Sequence, residues 1–334
     1  MFTHKGTHSR CLKLFTLLTV VGLSSIPGTA QDWPIFGQDL QNSANNTASS
    51  NKWTAAQASQ LQTNWTFTTG GDVSARAAVV NGVVYFPDWG GNLWALNARN
   101  GKVVWSHQFS DYGVGPAGTS AAVSRATPAV VGGVVYIGTQ AGAYLLAINA
   151  ANGKLIWKTQ LESSDPFAIA TASVSVANGV VYAGVASTQE AIATPGFHYT
   201  GRGSVVALDA SSGSIKWKTY TTPVGYSGAG VWGSNPVVDK ARNTVYVGTG
   251  DNYQVPDPTA PSSQPSLTYS ACMAVAGATA DACQSPDNHV DSVLALDLTT
   301  GAVKWSQRLT YWHNPYYVDG TDYFNLACLA SFIP

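Results

Sequence analysis

Internal repetition is the feature of this sequence that most restricts its fold. Four segments share one plan: an apolar strand with a tyrosine, a second strand, a glycine turn and a last strand with a tryptophan. The tyrosines are Tyr85, Tyr136, Tyr182 and Tyr246, the glycines are Gly101, Gly153, Gly213 and Gly301, and the tryptophans are Trp105, Trp157, Trp217 and Trp305. Such small antiparallel sheets cannot bury their faces alone, so they stack on their neighbours. The repeat predicts an all-β fold, a β-propeller whose indole rings fill the gaps between sheets.

The spacing within the repeats indicates where function lies. The tyrosine and the tryptophan are 20 and 21 residues apart in the first two units, but 35 and 59 apart in the third and fourth. The additional residues, 187–201 and 251–291, follow the first strand of the pair in both units. Insertions at one point of successive repeats project from one face, which is often the binding face. Drift in surface loops is the alternative explanation.

Residues 1–30 have the pattern of a secretory signal: a basic start, an apolar run over residues 14–23 and small residues at 28–30. The run is too short for a membrane anchor of about 20 residues. We therefore predict a secreted or periplasmic protein with one domain over residues 31–334 and no membrane span after signal removal. In an oxidising compartment Cys272 and Cys283 could pair across a short loop, which leaves Cys328 without a partner.

Composition and motif searches exclude several function classes. Only 10% of the residues are charged and the net charge is -1, which predicts no binding to nucleic acid. The glycine patterns at residues 113–118 and 228–233 open no helix, so nicotinamide dinucleotide binding has no support. No Cys-x-x-Cys pair is present for zinc, an iron–sulfur cluster or haem, and no nucleophile elbow for a hydrolase.

One recurring motif resembles a known family. The pattern Ala-x-Asp-x-x-Thr-Gly-x-x-x-Trp over residues 295–305 resembles the tryptophan-docking motif of quinoprotein dehydrogenases. These are eight-bladed propellers that carry pyrroloquinoline quinone (PQQ) and usually calcium. The opening Asp-Trp-Pro-Ile-Phe-Gly-Gln-Asp at residues 32–39 and the runs at residues 203–209 and 248–253 are similar to the polyvinyl alcohol dehydrogenase branch. The resemblance covers nearly all of residues 31–334 and implies a quinoprotein-type β-propeller, an incomplete eight-bladed ring.

The resemblance also implies a set of site residues. Cofactor contacts are expected from Arg125 (a carboxylate of PQQ), Thr171 and Ser187 (the quinone edge), Trp232 (the floor under the ring) and Glu190. Calcium ligands are expected from Glu190, Asp251 and Asn252, because carboxylate and amide oxygens suit calcium. Each residue also has an ordinary interpretation: an isolated arginine is usually a surface charge, and a tryptophan in this composition usually belongs to the core.

Two departures from the family pattern leave the function open. The vicinal cysteine pair of the branch is replaced by Gly-Phe-His-Tyr-Thr at residues 196–200. The family's catalytic aspartate is expected beyond Pro334, and we expect the chain to be a partial copy of the family protein. One hypothesis is an exported oxidoreductase that uses PQQ and calcium, oxidises a small or polymeric alcohol and passes electrons to a cytochrome. The other is a non-catalytic propeller scaffold that binds proteins.

Overall fold

The computed structural model describes residues 32–46, 54–115, 122–192, 197–233, 235–254, 274–275, 277, 285 and 287–309. The chain divides into two compact units, Met1–Ala30 and Gln31–Pro334, and every described residue belongs to the second. The secretory signal, the four cysteines and residues 310–334 lie outside the described residues. The signal and the cysteine pairing therefore stay predictions.

In the described residues, four large antiparallel sheets follow one another along the chain. Each has four strands in sequence order, and a fifth short strand joins the third sheet. The four sheets are β1 (Ala78–Val80), β2 (Val83–Pro87), β3 (Asn92–Asn97) and β4 (Val103–Gln108); β5 (Ala129–Val131), β6 (Val134–Gly138), β7 (Tyr144–Asn149) and β8 (Leu155–Gln160); β10 (Ser175–Ala177), β11 (Val180–Ser187), β12 (Ser204–Asp209) and β13 (Ile215–Tyr220); and β15 (Val237–Asp239), β16 (Thr244–Gly248), β18 (Ser292–Asp297) and β19 (Val303–Arg308).

Shorter elements connect these sheets. The short strand β9 (Ala168–Ile169) pairs with the end of β11, and β14 (Ser227–Gly228) pairs with β17 (Asn252–Gln254). The helix α1 covers Ala55–Ala58, and two 3-10 helices cover Phe109–Tyr112 and Thr188–Ala191. Among the residues that the structure describes, no helix is long and apolar enough to cross a membrane.

The glycine turn of the second sheet shows how the repeat sequence builds each blade. The side-chain Oδ1 of Asn149 accepts the N–H of Ala151 at 2.9 Å, and the main-chain oxygen of Asn149 accepts the N–H of Gly153 at 2.8 Å. Gly153 has a φ of 72°, a left-handed conformation that glycine adopts without steric cost. After this turn the β7–β8 register shifts between Ala147 and Ile148, and equivalent shifts occur in the other three sheets.

Tryptophans join neighbouring sheets in the way the repeats predict. The Nε1–H of Trp105 donates to Ala150 O at 2.8 Å, that of Trp157 to Ala210 O at 3.0 Å and that of Trp217 to Leu298 O at 3.0 Å. Trp105 and Trp157 are only 8% and 9% exposed. A Cβ atom on Gly213 would lie 2.6 Å from the indole of Trp157, so the turn needs glycine for close approach as well as for its φ. The predicted indole wedges are confirmed for these three contacts.

Two tryptophans differ from the predicted pattern. Trp305, the fourth marker, is 48% exposed. Trp65, which lies before the first repeat, donates its Nε1–H to Ala98 O at 2.9 Å and packs over Gly101 of the first sheet. Trp65 therefore occupies on the first sheet the groove that Trp105, Trp157 and Trp217 occupy on the next three.

An N-terminal strap, residues 33–42, connects the first strands of three sheets. Trp33 exchanges two main-chain hydrogen bonds with Val79 in β1, Pro34 O accepts from Val130 N in β5, and Leu40 O accepts from Val238 N in β15. The side chain of Ile35 is 3% exposed within the apolar core. The strap thus fixes the inner strands of the blades relative to one another, close to the site described next.

Candidate functional site

Four hub segments carry the candidate site, one before the first strand of each sheet: residues 71–77, 122–128, 168–174 and 229–233. In the first, second and fourth segments, the oxygens of Asp72, Val123 and Gly230 accept main-chain N–H groups that follow the second strand of the same sheet. In the third, Ile169 pairs with Ala186 at the corresponding place. Two residues further on, the four segments place Ser74, Arg125, Thr171 and Trp232 at equivalent positions.

The side chains at these equivalent positions line one cavity of about 350 Å³. A cavity of this size lies within the range of small-molecule sites, about 300–1,000 Å³. Its lining residues are Phe36, Ser74, Ala75, Arg76, Trp89, Arg125, Thr127, Thr171, Ser173, Trp232 and Gly233. The lining thus combines aromatic surface, hydroxyl groups and two arginines, and no carboxylate occurs among the lining residues that the structure describes.

Hydrogen bonds between hub segments hold the cavity wall in place. Arg76 N donates to Thr127 Oγ1 at 3.0 Å, and Thr127 N donates to Ser173 Oγ at 2.9 Å. Thr171 Oγ1 donates to Trp232 O at 3.1 Å, which links the third segment to the fourth. Each segment is therefore positioned by the next one, and the cavity depends on several blades at once.

Arg125 and Trp232 form the aromatic and cationic part of the cavity. The guanidinium carbon of Arg125 lies 5.4 Å from the centre of the Trp232 ring, within cation–π range. Burial lowers the pKa of Arg125, and the charge of Glu190 partly opposes this. The Nε1–H of Trp232 is buried and has no hydrogen-bond partner among the described residues.

The predicted site residues fall into two groups. Arg125, Thr171 and Trp232 meet at the cavity, whereas Ser187 and Glu190 do not line it. Ser187 is 3% exposed, and its Oγ accepts from Gln189 N at the start of the 3-10 helix that carries Glu190. Although Glu190 as a whole is exposed, surrounding protein atoms raise the pKa of its carboxyl group, and Arg125 lowers that pKa in part. Glu190 is therefore coupled electrostatically to the cavity through Arg125.

Asp251 and Asn252, the other predicted calcium ligands, lie at the start of the fourth unit's insertion. Asp251 O accepts from Ala229 N at 2.6 Å, and the next tyrosine, Tyr253, donates from its hydroxyl to Ser187 O at 3.2 Å. The starts of the two insertions therefore touch. Within the described ranges, however, no group of three or more His, Cys, Asp or Glu side chains forms a metal-binding cluster.

Sequence reasoning missed eight of the eleven lining residues and one residue, Gln189, that supports a neighbouring loop. Phe36, Arg76 and Trp89 line the cavity. Gln189, 1% exposed, holds the Glu190 loop, because its Oε1 accepts from the main chain of Thr200 and Gly201 and its Nε2 donates to Asp165. The signal for Arg76 was present in the sequence: an alignment of the hub segments with one another places it beside Thr127 and Ser173.

Comparisons with known proteins agree with this architecture. A family model described as outer membrane protein assembly factor BamB matches residues 46–194. A polyvinylalcohol dehydrogenase from Sphingopyxis sp. (strain 113P3) is 30% identical over 281 residues, 78% of this chain and 37% of that protein. A quinohemoprotein alcohol dehydrogenase from Comamonas testosteroni is 26% identical over 314 residues, 84% of this chain and 39% of that protein. The chain thus spans less than half the length of these relatives.

The solved structure of the quinohemoprotein alcohol dehydrogenase from Comamonas testosteroni superimposes on this chain with a TM-score of 0.61 and 23% identity. The match covers 84% of this chain and 41% of that one, and it confirms the predicted quinoprotein-type β-propeller. The repeated blades, their docked indoles and the sequence relatives lead to one conclusion: the chain has a quinoprotein-type β-propeller fold and is similar in sequence to quinoprotein alcohol dehydrogenases.

Proposed function

We propose that the hub cavity binds PQQ and that the protein acts as a PQQ-dependent alcohol dehydrogenase. The observation that carries the proposal is the pairing of Arg125 with Trp232 inside a cavity of about 350 Å³. PQQ is a planar tricyclic quinone with three carboxylates, so its site needs an aromatic surface and cationic or hydrogen-bonding partners.

Three residues of the cavity have separate roles in binding PQQ. Arg125 binds a carboxylate, because its guanidinium group presents several N–H donors and carries a permanent charge. Trp232 provides the stacking surface, and Thr171 holds the main chain of Trp232 in position through its hydrogen bond to Trp232 O. When bound, PQQ supplies a quinone that accepts the hydride from an alcohol. The walls formed by the hub segments restrict water around the ring.

We further propose that a calcium ion binds beside this cavity, with Glu190, Asp251 and Asn252 as ligands. These side chains supply hard oxygen atoms, and the Tyr253–Ser187 hydrogen bond joins the two segments that carry them. The raised pKa of Glu190 supports the proposal, because a carboxyl group short of solvent gains from a bound cation. Ser187, buried at the start of the Glu190 helix, serves as a positioning residue for that loop.

Export and electron transfer complete the proposal. The signal pattern at residues 1–30 supports a secreted or periplasmic location. The quinol must be reoxidised, and we propose a cytochrome as the electron acceptor. Small alcohols and polymeric alcohols are the two substrate classes to compare.

Quenching of tryptophan fluorescence by PQQ in the presence of calcium chloride tests the proposal. Arg125→Gln removes one charge-assisted contact, and we expect PQQ affinity to fall by about tenfold to a hundredfold. Arg99→Gln is the matched control, because Arg99 is an exposed arginine outside the cavity, and its PQQ affinity should equal that of the wild type. Absence of quenching in the wild type, or equal affinities of all three proteins, would refute the binding site.

Dye reduction in the presence of alcohols provides the second measurement. Turnover that depends on PQQ and is weakened by Arg125→Gln supports dehydrogenase activity. Binding of PQQ without turnover would contradict the activity of this chain while leaving the cofactor site in place. Loss of calcium dependence in Glu190→Gln, with PQQ affinity otherwise retained, supports the proposed calcium ligand; unchanged calcium dependence refutes it.

A further inference from the structure

Arg76 breaks a pattern that the hub segments otherwise share. Two residues after the equivalent positions described above, the second and third segments carry a hydroxyl side chain, Thr127 and Ser173. The first segment carries Arg76 instead. Arg76, Thr127 and Ser173 all line the cavity. The first blade therefore brings a guanidinium group to a place where its neighbours bring a hydroxyl group.

The hydrogen bonds between segments explain why an arginine is tolerated only there. Thr127 Oγ1 accepts the N–H of Arg76, and Ser173 Oγ accepts the N–H of Thr127, so each hydroxyl serves the segment before it. Among the described residues, no hub segment precedes the one that carries Arg76. Its side chain is thus released from the acceptor role that Thr127 and Ser173 perform.

The side chain of Arg76 is held in a defined position. Its guanidinium carbon lies 4.4 Å from the centre of the Phe36 ring, and its Nη1–H donates to Phe36 O at 3.4 Å. Phe36 belongs to the N-terminal strap, which is fixed to three blades. Within the described part of the chain, neither Arg76 nor Arg125 has a carboxylate within ion-pair distance.

We propose that Arg76 is a second anion-binding residue of the cavity, so that the site selects a planar aromatic ligand with at least two negative charges. Two arginines, each over an aromatic ring, line one cavity, and none of the described residues in its wall is acidic. Such an arrangement favours two carboxylates on one ligand, because each guanidinium group gains a charge-assisted bond only from its own anion. The inference extends the proposed function, since it assigns a charge requirement to the proposed PQQ site.

The test compares three variants of the full chain. Arg76→Thr restores the hydroxyl of the neighbouring segments, Arg76→Lys keeps the charge but loses the planar stacking on Phe36, and Arg99→Thr removes an equal charge elsewhere. Binding of PQQ, of a naphthalene dicarboxylate and of the matching naphthalene monocarboxylate is measured by calorimetry and fluorescence at several salt concentrations. Circular dichroism melting confirms that each variant is folded.

We expect Arg76→Thr to weaken PQQ and the dicarboxylate by about tenfold, to reduce the salt dependence of binding and to leave the monocarboxylate unchanged. Arg76→Lys should lose less affinity, and Arg99→Thr should lose none. If the wild type binds PQQ and Arg76→Thr binds it equally well, the inference is wrong while the PQQ site stands. If PQQ does not bind but the dicarboxylate preference is present and depends on Arg76, the inference stands and the proposed cofactor is wrong. Absence of both refutes both.

Discussion

Glu162 gives a quantitative test of how the second and third blades are joined. It follows β8, is only 5% exposed, and accepts hydrogen bonds from Lys218 Nζ and from the Tyr220 hydroxyl, both on β13. Ser164 donates to its other carboxylate oxygen from both N–H and O–H. Burial alone would raise the pKa of Glu162, but the bonds from Lys218, Ser164 and Tyr220 outweigh it and lower the pKa to about 2.

The stabilisation follows from the difference between the folded pKa of about 2 and the ordinary value of 4.5. Each unit of difference corresponds to about 1.4 kcal/mol, so the ionised carboxylate contributes about 3 kcal/mol to the free energy of unfolding at pH 7. Because the folded pKa is depressed, this contribution is complete above the unfolded pKa and is lost as the pH falls through the folded pKa. At pH 3 about 1 kcal/mol should remain.

Glu162→Gln keeps the size and shape of the protonated acid and removes the charge. We expect the variant to be less stable than the wild type by about 3 kcal/mol at pH 7 and by about 1 kcal/mol at pH 3. Urea unfolding followed by circular dichroism at pH 7, 5, 4 and 3 measures both free energies, and the difference cancels the titration of other carboxylates. A difference that stays constant between pH 7 and pH 3 would show that the charge of Glu162 does not stabilise the fold.

Two further predictions concern the docked indoles and the Glu190 carboxyl group. Trp157→Phe loses the Nε1–Ala210 O bond at a buried interface and should lower the free energy of unfolding by about 2 kcal/mol. Trp305 is exposed, so Trp305→Phe should change the free energy of unfolding by less than about 0.5 kcal/mol. Equal effects of the two substitutions in urea unfolding would contradict the docking role of Trp157. Glu190→Gln should have the opposite sign to Glu162→Gln: the folded pKa of Glu190 is raised, so the ionised group costs stability at pH 7 in calcium-free buffer. The variant should therefore melt at or above the wild-type temperature at pH 7, with the gain vanishing as the pH falls below the unfolded pKa; a lower melting temperature at pH 7 would contradict the burial of this carboxyl group.

The blades could be predicted from sequence because every unit repeats the same local chemistry. In every unit the turn glycine and the tryptophan are four residues apart, and a tyrosine lies on an earlier strand, so one local rule is enough to define a blade. Trp65 could not be predicted in this way, since no glycine turn or paired strand precedes it. Its role depends on the groove over Gly101, which exists only after the first sheet has formed.

The candidate site was predicted in part. The resemblance to the quinoprotein dehydrogenases named Arg125, Thr171 and Trp232, and these three residues line one cavity. Their cofactor contacts stay predictions. The position of Glu190 beside the cavity instead of in its wall depends on the fold of an insertion, which no repeat rule describes. Phe36 reaches the cavity through the N-terminal strap, and long-range pairing of this kind leaves no periodic signal in sequence.

The docked Trp65 also bears on how copies of this chain can associate. A row of blades can carry a tryptophan at one end and an empty tryptophan-binding groove at the other end. Copies of such a chain could polymerise head to tail, since a heterologous contact that does not close generates filaments. In this protein the groove of the first sheet is already filled, because Trp65 lies over Gly101 and donates to Ala98 O. Trp305 of a second molecule would have to expel a segment of the first before it could insert. Trp65 therefore keeps the tryptophan-binding groove of the first sheet closed to a tryptophan from another molecule.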